Sequence, residues 1–265
     1  MGERVAGKVA VIFGGGQTPG ETIGNGRATA ILLAREGATV FVVDRDLASA
    51  EETVAMIGAE GGGAAAVSAD ITREEDVEAA LAGAVGRHGR IDILHNNVGA
   101  SLALGDATAT ELEADAFDRL YQVNLRGMWL ACKHALPTMQ KQGSGSIVNI
   151  SSMAAWEAYP YVGYKTTKAG VIALTQNIAM ANARYGIRAN VILPGLMNTP
   201  MAIEARVAAG TPREEVIAGR NARVPLGRQM GSAWDVAYAS LFLHSDEAKF
   251  ITGVSLPVDG GASVS

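Results

Sequence analysis

The sequence predicts a doubly wound α/β fold, a single domain built on a parallel sheet of about seven strands with helices on both faces. Two observations carry this expectation. Strand-length apolar runs alternate with stretches of helical periodicity along the chain, and the first run passes straight into a glycine-rich turn. The first strand is read at 9–13 (Val-Ala-Val-Ile-Phe), short, continuous and apolar, as a strand covered on both faces requires. A helix over 26–35 follows, then a strand at 39–43 with Asp44 at its end, and a helix at 46–58. The glycines at 61–63 form a loop before the strand at 64–68. The helix at 74–87 leads to a strand at 91–94, and one long helix is read over 117–140. Strands at 146–150, 188–193 and 254–258 complete the sheet, with helices at 164–184 and 233–244 between them. Residues 195–226 break the alternation: they contain Pro200, Pro212 and Pro225 and one helical piece around 201–209. A segment inserted after a strand's carboxyl end overhangs the ligand crevice, so it is expected to be a substrate lid.

The chain of 265 residues is 48% hydrophobic and 18% charged, enough to bury a sizeable core within one domain. Its net charge is −5 and it has no basic run, so neither nucleic acid nor an anionic membrane is an expected partner. Cys132 is the only cysteine, which excludes an intrachain disulfide and fits a reducing compartment. No run has the length and apolarity of a signal peptide core or a membrane span, and the expected location is cytoplasmic. The four histidines show no ligand spacing, and no metal is expected.

Four segments converge on one chemistry. Tyr164 and Lys168 are four apart, so a helix places them on one face. A phenol with a pKa of about 10 is a poor acid-base group near neutrality, and a neighbouring ammonium favours its ionised form. The turn from Gly14 to Gly26 allows close backbone approach to a pyrophosphate, whose charge the following helix N-terminus meets. Asp44 can accept hydrogen bonds from both adenosine ribose hydroxyls and repel a 2′-phosphate, which favours NAD over NADP. Arg45 points the other way, because a guanidinium can pair with that phosphate.

These segments occur in a fixed order with others: Asp70-Ile71, Asn96-Asn97-Val98-Gly99, Asn124, Ser151-Ser152, Tyr164 with Lys168, Pro194-Gly195 with Thr199, and Val258-Asp259-Gly260-Gly261. In this order the chain resembles the short-chain dehydrogenase/reductase family over nearly its whole length. The resemblance implies a Rossmann fold and hydride transfer between a nicotinamide ring and a carbinol or carbonyl carbon. It implies that Tyr164 exchanges the oxygen's proton, that Lys168 lowers the tyrosine pKa and holds the nicotinamide ribose, that Ser152 hydrogen-bonds the substrate oxygen, and that Asn124 anchors a water in the proton path. Gly14, Gly24, Gly26, Asp44 and Arg45 would surround the adenosine and pyrophosphate. Asp70 and Ile71 would lie at the adenine, Asn97 and Gly99 along the adenosine side, and Pro194, Gly195 and Thr199 at the nicotinamide end. The resemblance also implies a homotetramer assembled through residues 117–140, 164–184 and 253–265.

Several alternatives stay open in the sequence. The family turn is Thr-Gly-x-x-x-Gly-x-Gly, whereas Phe13 replaces the threonine here and Gly24 lies ten residues after Gly14, as though six residues were inserted; a second register would use Gly16 and Gly20. Counting from the strand favours Ser152 for the substrate contact, and counting back from the helix favours Ser151, thirteen residues before Tyr164. Tyr161 stands seven before Lys168, which resembles the enoyl reductase branch of the family. The expected substrate is an apolar or cyclic secondary alcohol or ketone, with Trp156, Tyr159 and Tyr161 as candidate pocket residues and Met197, Met201 and Met230 as an apolar floor. A dinucleotide-binding sensor or scaffold without turnover is the rival from another class.

Overall fold

Strand β1 (Val9–Phe13) is buried at every position. It lies between β2 (Thr39–Asp44) and β4 (Ile93–Asn96). The computed structural model describes residues 2–265 and builds one seven-stranded sheet in the order β3-β2-β1-β4-β5-β6-β7. Here β3 is Ala64–Ser68, β5 is Gly145–Ile150, β6 is Ile187–Pro194 and β7 is Ser255–Val258, and all neighbours run parallel. The order reverses at β1, whose end pairs with Val43 on one side and Asn96 on the other. A crevice therefore opens beyond the carboxyl ends of these strands, where ligands of such sheets bind.

The alternation of side chains along β1 assigns the helices to their faces. Val9, Val11 and Phe13 share a core with α3 (Glu74–His88), α5 (Gly127–Gln142) and α6 (Val162–Asn182). Ala10 and Ile12 share the opposite core with α1 (Asn25–Arg35), α2 (Leu47–Ala59) and α9 (Ala233–His244). Burial of a side chain as large as Phe13 or Phe41 contributes roughly 1.5–3 kcal/mol, and both are 1% exposed.

Three elements differ from the sequence reading. Strand β4 runs over Ile93–Asn96 rather than 91–94, and its pairing continues through the polar but buried His95 and Asn96. The helix expected at 117–140 is two: α4 (Ala114–Tyr121) and α5, joined by one π turn over Gln122–Arg126. Residues 195–226 hold a second helix, α8 (Arg213–Asn221), beside α7 (Pro200–Ala208). Pro212 is the N-cap of α8 and so opens a helix instead of ending one. Among the described residues no helix is long and apolar enough to cross a membrane.

Candidate active site

Gly14 leaves β1 with φ of 77°, a left-handed conformation that side chains disfavour. Its carbonyl accepts from Asn97 Nδ2 at 3.1 Å. Gly26, in the first turn of α1, lies against that same carbonyl, and a Cβ there would collide with Gly14 O and Asn97 Nδ2. Gly24 is the N-cap of α1, so the structure adopts the register Gly14, Gly24, Gly26. The extra residues form a pinned loop. Gly24 N–H donates to Gln17 Oε1 at 2.8 Å, Gln17 N–H to Ser49 Oγ at 2.8 Å, and Gly16 N–H to Asp44 Oδ2 at 3.0 Å. Farther along the loop, Glu21 pairs with Arg213 of α8 at 3.3 Å.

Asp44 ends β2 with its carboxylate beside this loop, accepting also from Asp46 N–H at 3.2 Å. Arg45 is exposed and joins no ion pair among the described residues. Asp70 is half-buried, and its Oδ1 accepts from both Thr72 N–H and Thr72 Oγ1 at 2.9 and 2.8 Å. Ile71 is a core side chain, so any ligand contact it makes falls to its backbone. Pro194 ends β6, and Gly195 is a position where a Cβ would fall 2.7 Å from Asp259 Cα. Thr199 is buried as the N-cap of α7. A dinucleotide fits these residues: glycines clear the space at the end of β1, a helix N-terminus faces it, and a carboxylate stands at the end of β2.

The second cluster lies across the crevice. Helix α6 places Tyr164 and Lys168 one turn apart, with Lys168 Nζ 5.6 Å from the centre of the Tyr164 ring. Lys168 is 2% exposed and donates to Ile150 O at 2.9 Å. A Cβ on Gly99 would fall 2.8 Å from that ammonium, so only glycine leaves it room. The Ser152 hydroxyl lies near that of Tyr164, close enough to act on its titration, and accepts from Ala154 N–H at 3.1 Å. Ser151 is buried and turned away, donating to Lys168 O at 2.6 Å. The count from the strand is the one that puts a serine beside the tyrosine. Asn124 sits inside the π turn, fully buried. It accepts from Ala100 N–H at 2.8 Å, donates to Ala100 O at 2.8 Å, and donates to Thr167 Oγ1 at 3.2 Å. Its side chain thus clamps the 97–101 loop onto α6. Single π turns inside α-helices concentrate at functional sites.

The electrostatics depart from the sequence expectation. Burial pushes the Tyr164 phenol up to about 12, opposed by the nearby Ser152 hydroxyl. Burial also brings the Lys168 ammonium down to about 7. Desolvation disfavours both charged forms.

Comparisons with known proteins point to one family. A family model described as Enoyl-(Acyl carrier protein) reductase matches residues 21–263. A 2,5-dichloro-2,5-cyclohexadiene-1,4-diol dehydrogenase of Sphingobium indicum is 37% identical, the match covering 100% of this chain and 99% of that protein. A 7alpha-hydroxysteroid dehydrogenase of Clostridium sardiniense is 36% identical over 98% of this chain and 94% of its own. The crystal structure of a levodione reductase superposes with a TM-score of 0.90 at 33% identity, covering 100% of both chains. The chain belongs to the short-chain dehydrogenase/reductase family.

Within this short-chain dehydrogenase/reductase, one residue at the site escaped the sequence reading. Asp106 is 6% exposed, and its carboxylate accepts from Gly163 N–H and Tyr164 N–H, both at 3.0 Å, and from Ser101 Oγ at 2.8 Å. It caps α6 from outside the helix and adds negative charge near the Tyr164 hydroxyl. No local signal marks it, because its backbone partners lie 57 and 58 residues away. Tyr159 stacks near both Tyr164 and Tyr161, with ring centres 5.8 and 5.6 Å apart. Trp156 is half exposed.

Proposed function

We propose that this short-chain dehydrogenase/reductase transfers hydride between NAD(H) and a secondary alcohol or ketone. The observation that carries the reading is Tyr164 at the head of α6, one turn from the buried Lys168, whose ammonium lies 5.6 Å from the tyrosine ring centre, with the Ser152 hydroxyl nearby. When bound, the nicotinamide accepts or supplies the hydride. Tyr164 gives or takes the proton of the reacting oxygen, and Ser152 donates a hydrogen bond to that oxygen as charge develops on it. Lys168 holds the nicotinamide ribose, and its ammonium favours the phenolate. Asn124 holds the loop through Ala100, against which the cofactor rests. The relatives support this reading, since their names describe dehydrogenases of a cyclic diol and a hydroxysteroid.

NAD is the favoured dinucleotide because Asp44 stands where a 2′-phosphate would be repelled. Gly14, Gly24, Gly26, Asp70, Asn97, Gly99, Pro194, Gly195 and Thr199 serve as its cradle. Residues 195–226 act as the substrate lid. The chain works as a cytoplasmic homotetramer, supported by exposed Phe117, Tyr121 and Trp129 on α4 and α5 and by Val264 at the tail. Light scattering at micromolar concentration checks this; a stable mass near 27.4 kDa would refute the tetramer.

The description of the matching family favours a second reading, reduction of an enoyl thioester with Tyr161 as donor. Tyr161 precedes α6 and packs edge-on to Tyr159, while Tyr164 is the tyrosine with the Lys168 ammonium 5.6 Å from its ring centre. A screen of secondary alcohols with NAD and NADP, read by absorbance of reduced cofactor, tests the proposal. NAD should win by at least about tenfold in kcat/KM, and Asp44→Ala should narrow the margin. Preference for NADP would overturn the cofactor assignment, and turnover of enoyl thioesters alone would replace the alcohol reading.

A further inference from the structure

The lid carries arginines in two different states. Arg213 is fully matched: its guanidinium meets both Glu204 oxygens at 3.0 and 2.7 Å, and Glu21 at 3.3 Å. Arg206 on α7 and Arg220 on α8 are half-buried, and neither has a carboxylate within 4 Å among the described residues. Arg220 spends its donors on neutral acceptors, the weakly accepting Met230 thioether at 3.2 Å and Met197 O at 3.3 Å. Arg206 reaches only the carbonyl of Ala202, on its own helix. Like charges are nevertheless gathered here. Burial lowers Arg220 to about 10, and Arg206 and Arg223 push it in the same direction. Gathering unpaired guanidinium groups in a half-buried place is unfavourable unless an anion completes the group.

The position of this group is equally informative. The helices that carry Arg206 and Arg220, α7 and α8, pack on each other, and the Tyr159 phenol, whose ring packs 5.8 Å from that of Tyr164, lies within the electrostatic reach of both guanidinium groups. Met197, which accepts from Arg220 through its carbonyl, lies in the loop just beyond the carboxyl end of β6. The cations thus belong to the segment that overhangs the crevice beyond β6, with the buried Met197 and Met230 beside Arg220.

We propose that Arg206 and Arg220 form a subsite for an anionic group at the far end of the substrate, a carboxylate or sulfonate. This rests on the alcohol dehydrogenase reading and narrows it to secondary alcohols or ketones with an apolar body and a distal acid. A planar guanidinium fork matches both oxyanions.

The test compares kcat/KM with NAD for 4-hydroxypentanoate and 5-hydroxyhexanoate against their methyl esters, in wild type, Arg220→Met, Arg206→Met and Arg220→Lys. At least one acid should exceed its ester by about tenfold. Either methionine variant should lower the acid-to-ester ratio about tenfold, and the lysine should restore part of it. Equal turnover of acids and esters by wild type overturns the proposal. So does a loss of NAD affinity in Arg220→Met with the ratio intact, which would give these arginines to a cofactor phosphate. If no alcohol is turned over, the dehydrogenase reading fails by itself. Calorimetric titration of hexanoate into the NAD-loaded protein then decides the subsite. Saturable binding that Arg220→Met weakens about tenfold sustains it. Absent binding, or displacement by inorganic phosphate at equal concentration, overturns it.

Discussion

Two clusters of titratable side chains are buried in this protein, and they differ in what they face. Tyr164 and Lys168 lie at the carboxyl end of the sheet, under a glycine that leaves them room. His95 of β4 and His244 of α9 lie within the layer between sheet and helix, with His244 Nε2 3.4 Å from His95 Nδ1 and His244 Nδ1 3.0 Å from Ser146 Oγ. Burial acts on both clusters in the same direction: it brings Lys168 to about 7, His95 to about 3, and His244 well below its ordinary value. A displaced pKa is therefore no mark of function by itself. The tyrosine and lysine open on a crevice where charge can be exchanged with a ligand, whereas the histidines meet each other and the core.

The comparison breaks most readily at Tyr164. Tyr164→Phe should lower turnover by about 10³-fold, within the range for loss of a general acid-base group, while NAD affinity and melting temperature hold. Stopped-flow turnover, cofactor fluorescence titration and a thermal melt read the three quantities. Retained activity would make this cluster as inert as the histidines.

Asp106 sharpens the contrast with a smaller effect. Asp106→Asn keeps an acceptor for the α6 amides and removes the charge that helps hold the Tyr164 proton. Turnover should fall about tenfold through imperfect capping, and the acid limb of alcohol oxidation should move to lower pH. A lower kcat on an unmoved profile would reduce Asp106 to a structural cap.

The histidine pair predicts a loss of stability without a loss of site chemistry. Both folded pKa values are depressed, so the unfolded chain binds more protons below about pH 6.5. The contribution is fully present above that pH and declines as pH falls toward about 3, by about 1.4 kcal/mol per pH unit per histidine. Urea midpoints at pH 7.5, 6.0 and 5.0 measure it. His95→Gln should flatten the slope; an identical slope would show that the pair is already charged in the fold.

The strands were legible because a two-sided parallel sheet demands apolar runs, and β1 and β3 lie where those runs lie. The spacing of Tyr164 and Lys168 was legible because i and i+4 share a helix face. Polar burial hid the true extent of β4, where His95 and Asn96 continue the ladder. Asp106 was hidden because its backbone partners have no sequence signature, and α8 because Pro212 reads as an interruption. The glycine loop was half legible: its composition announced close approach, but only the packing of Gly26 on Gly14 settled the register.

The π turn at Gln122–Arg126 makes this stretch unequal in its tolerance of exchange and of loss. Substitutions at its exposed positions leave the hydrogen-bond ladder intact. The wider turn absorbs one extra residue, so removing one would return the helix to α spacing with α4 and α5 still nearly in phase. Ala116 and Leu120 would stay in the core, and Leu120 would stay against Gly163, where an added Cβ would fall 2.5 Å from its Cδ1. The loss would fall on Asn124, which from this turn holds both the N–H and the carbonyl of Ala100. The extra residue thus serves the crevice rather than the packing of the two helices.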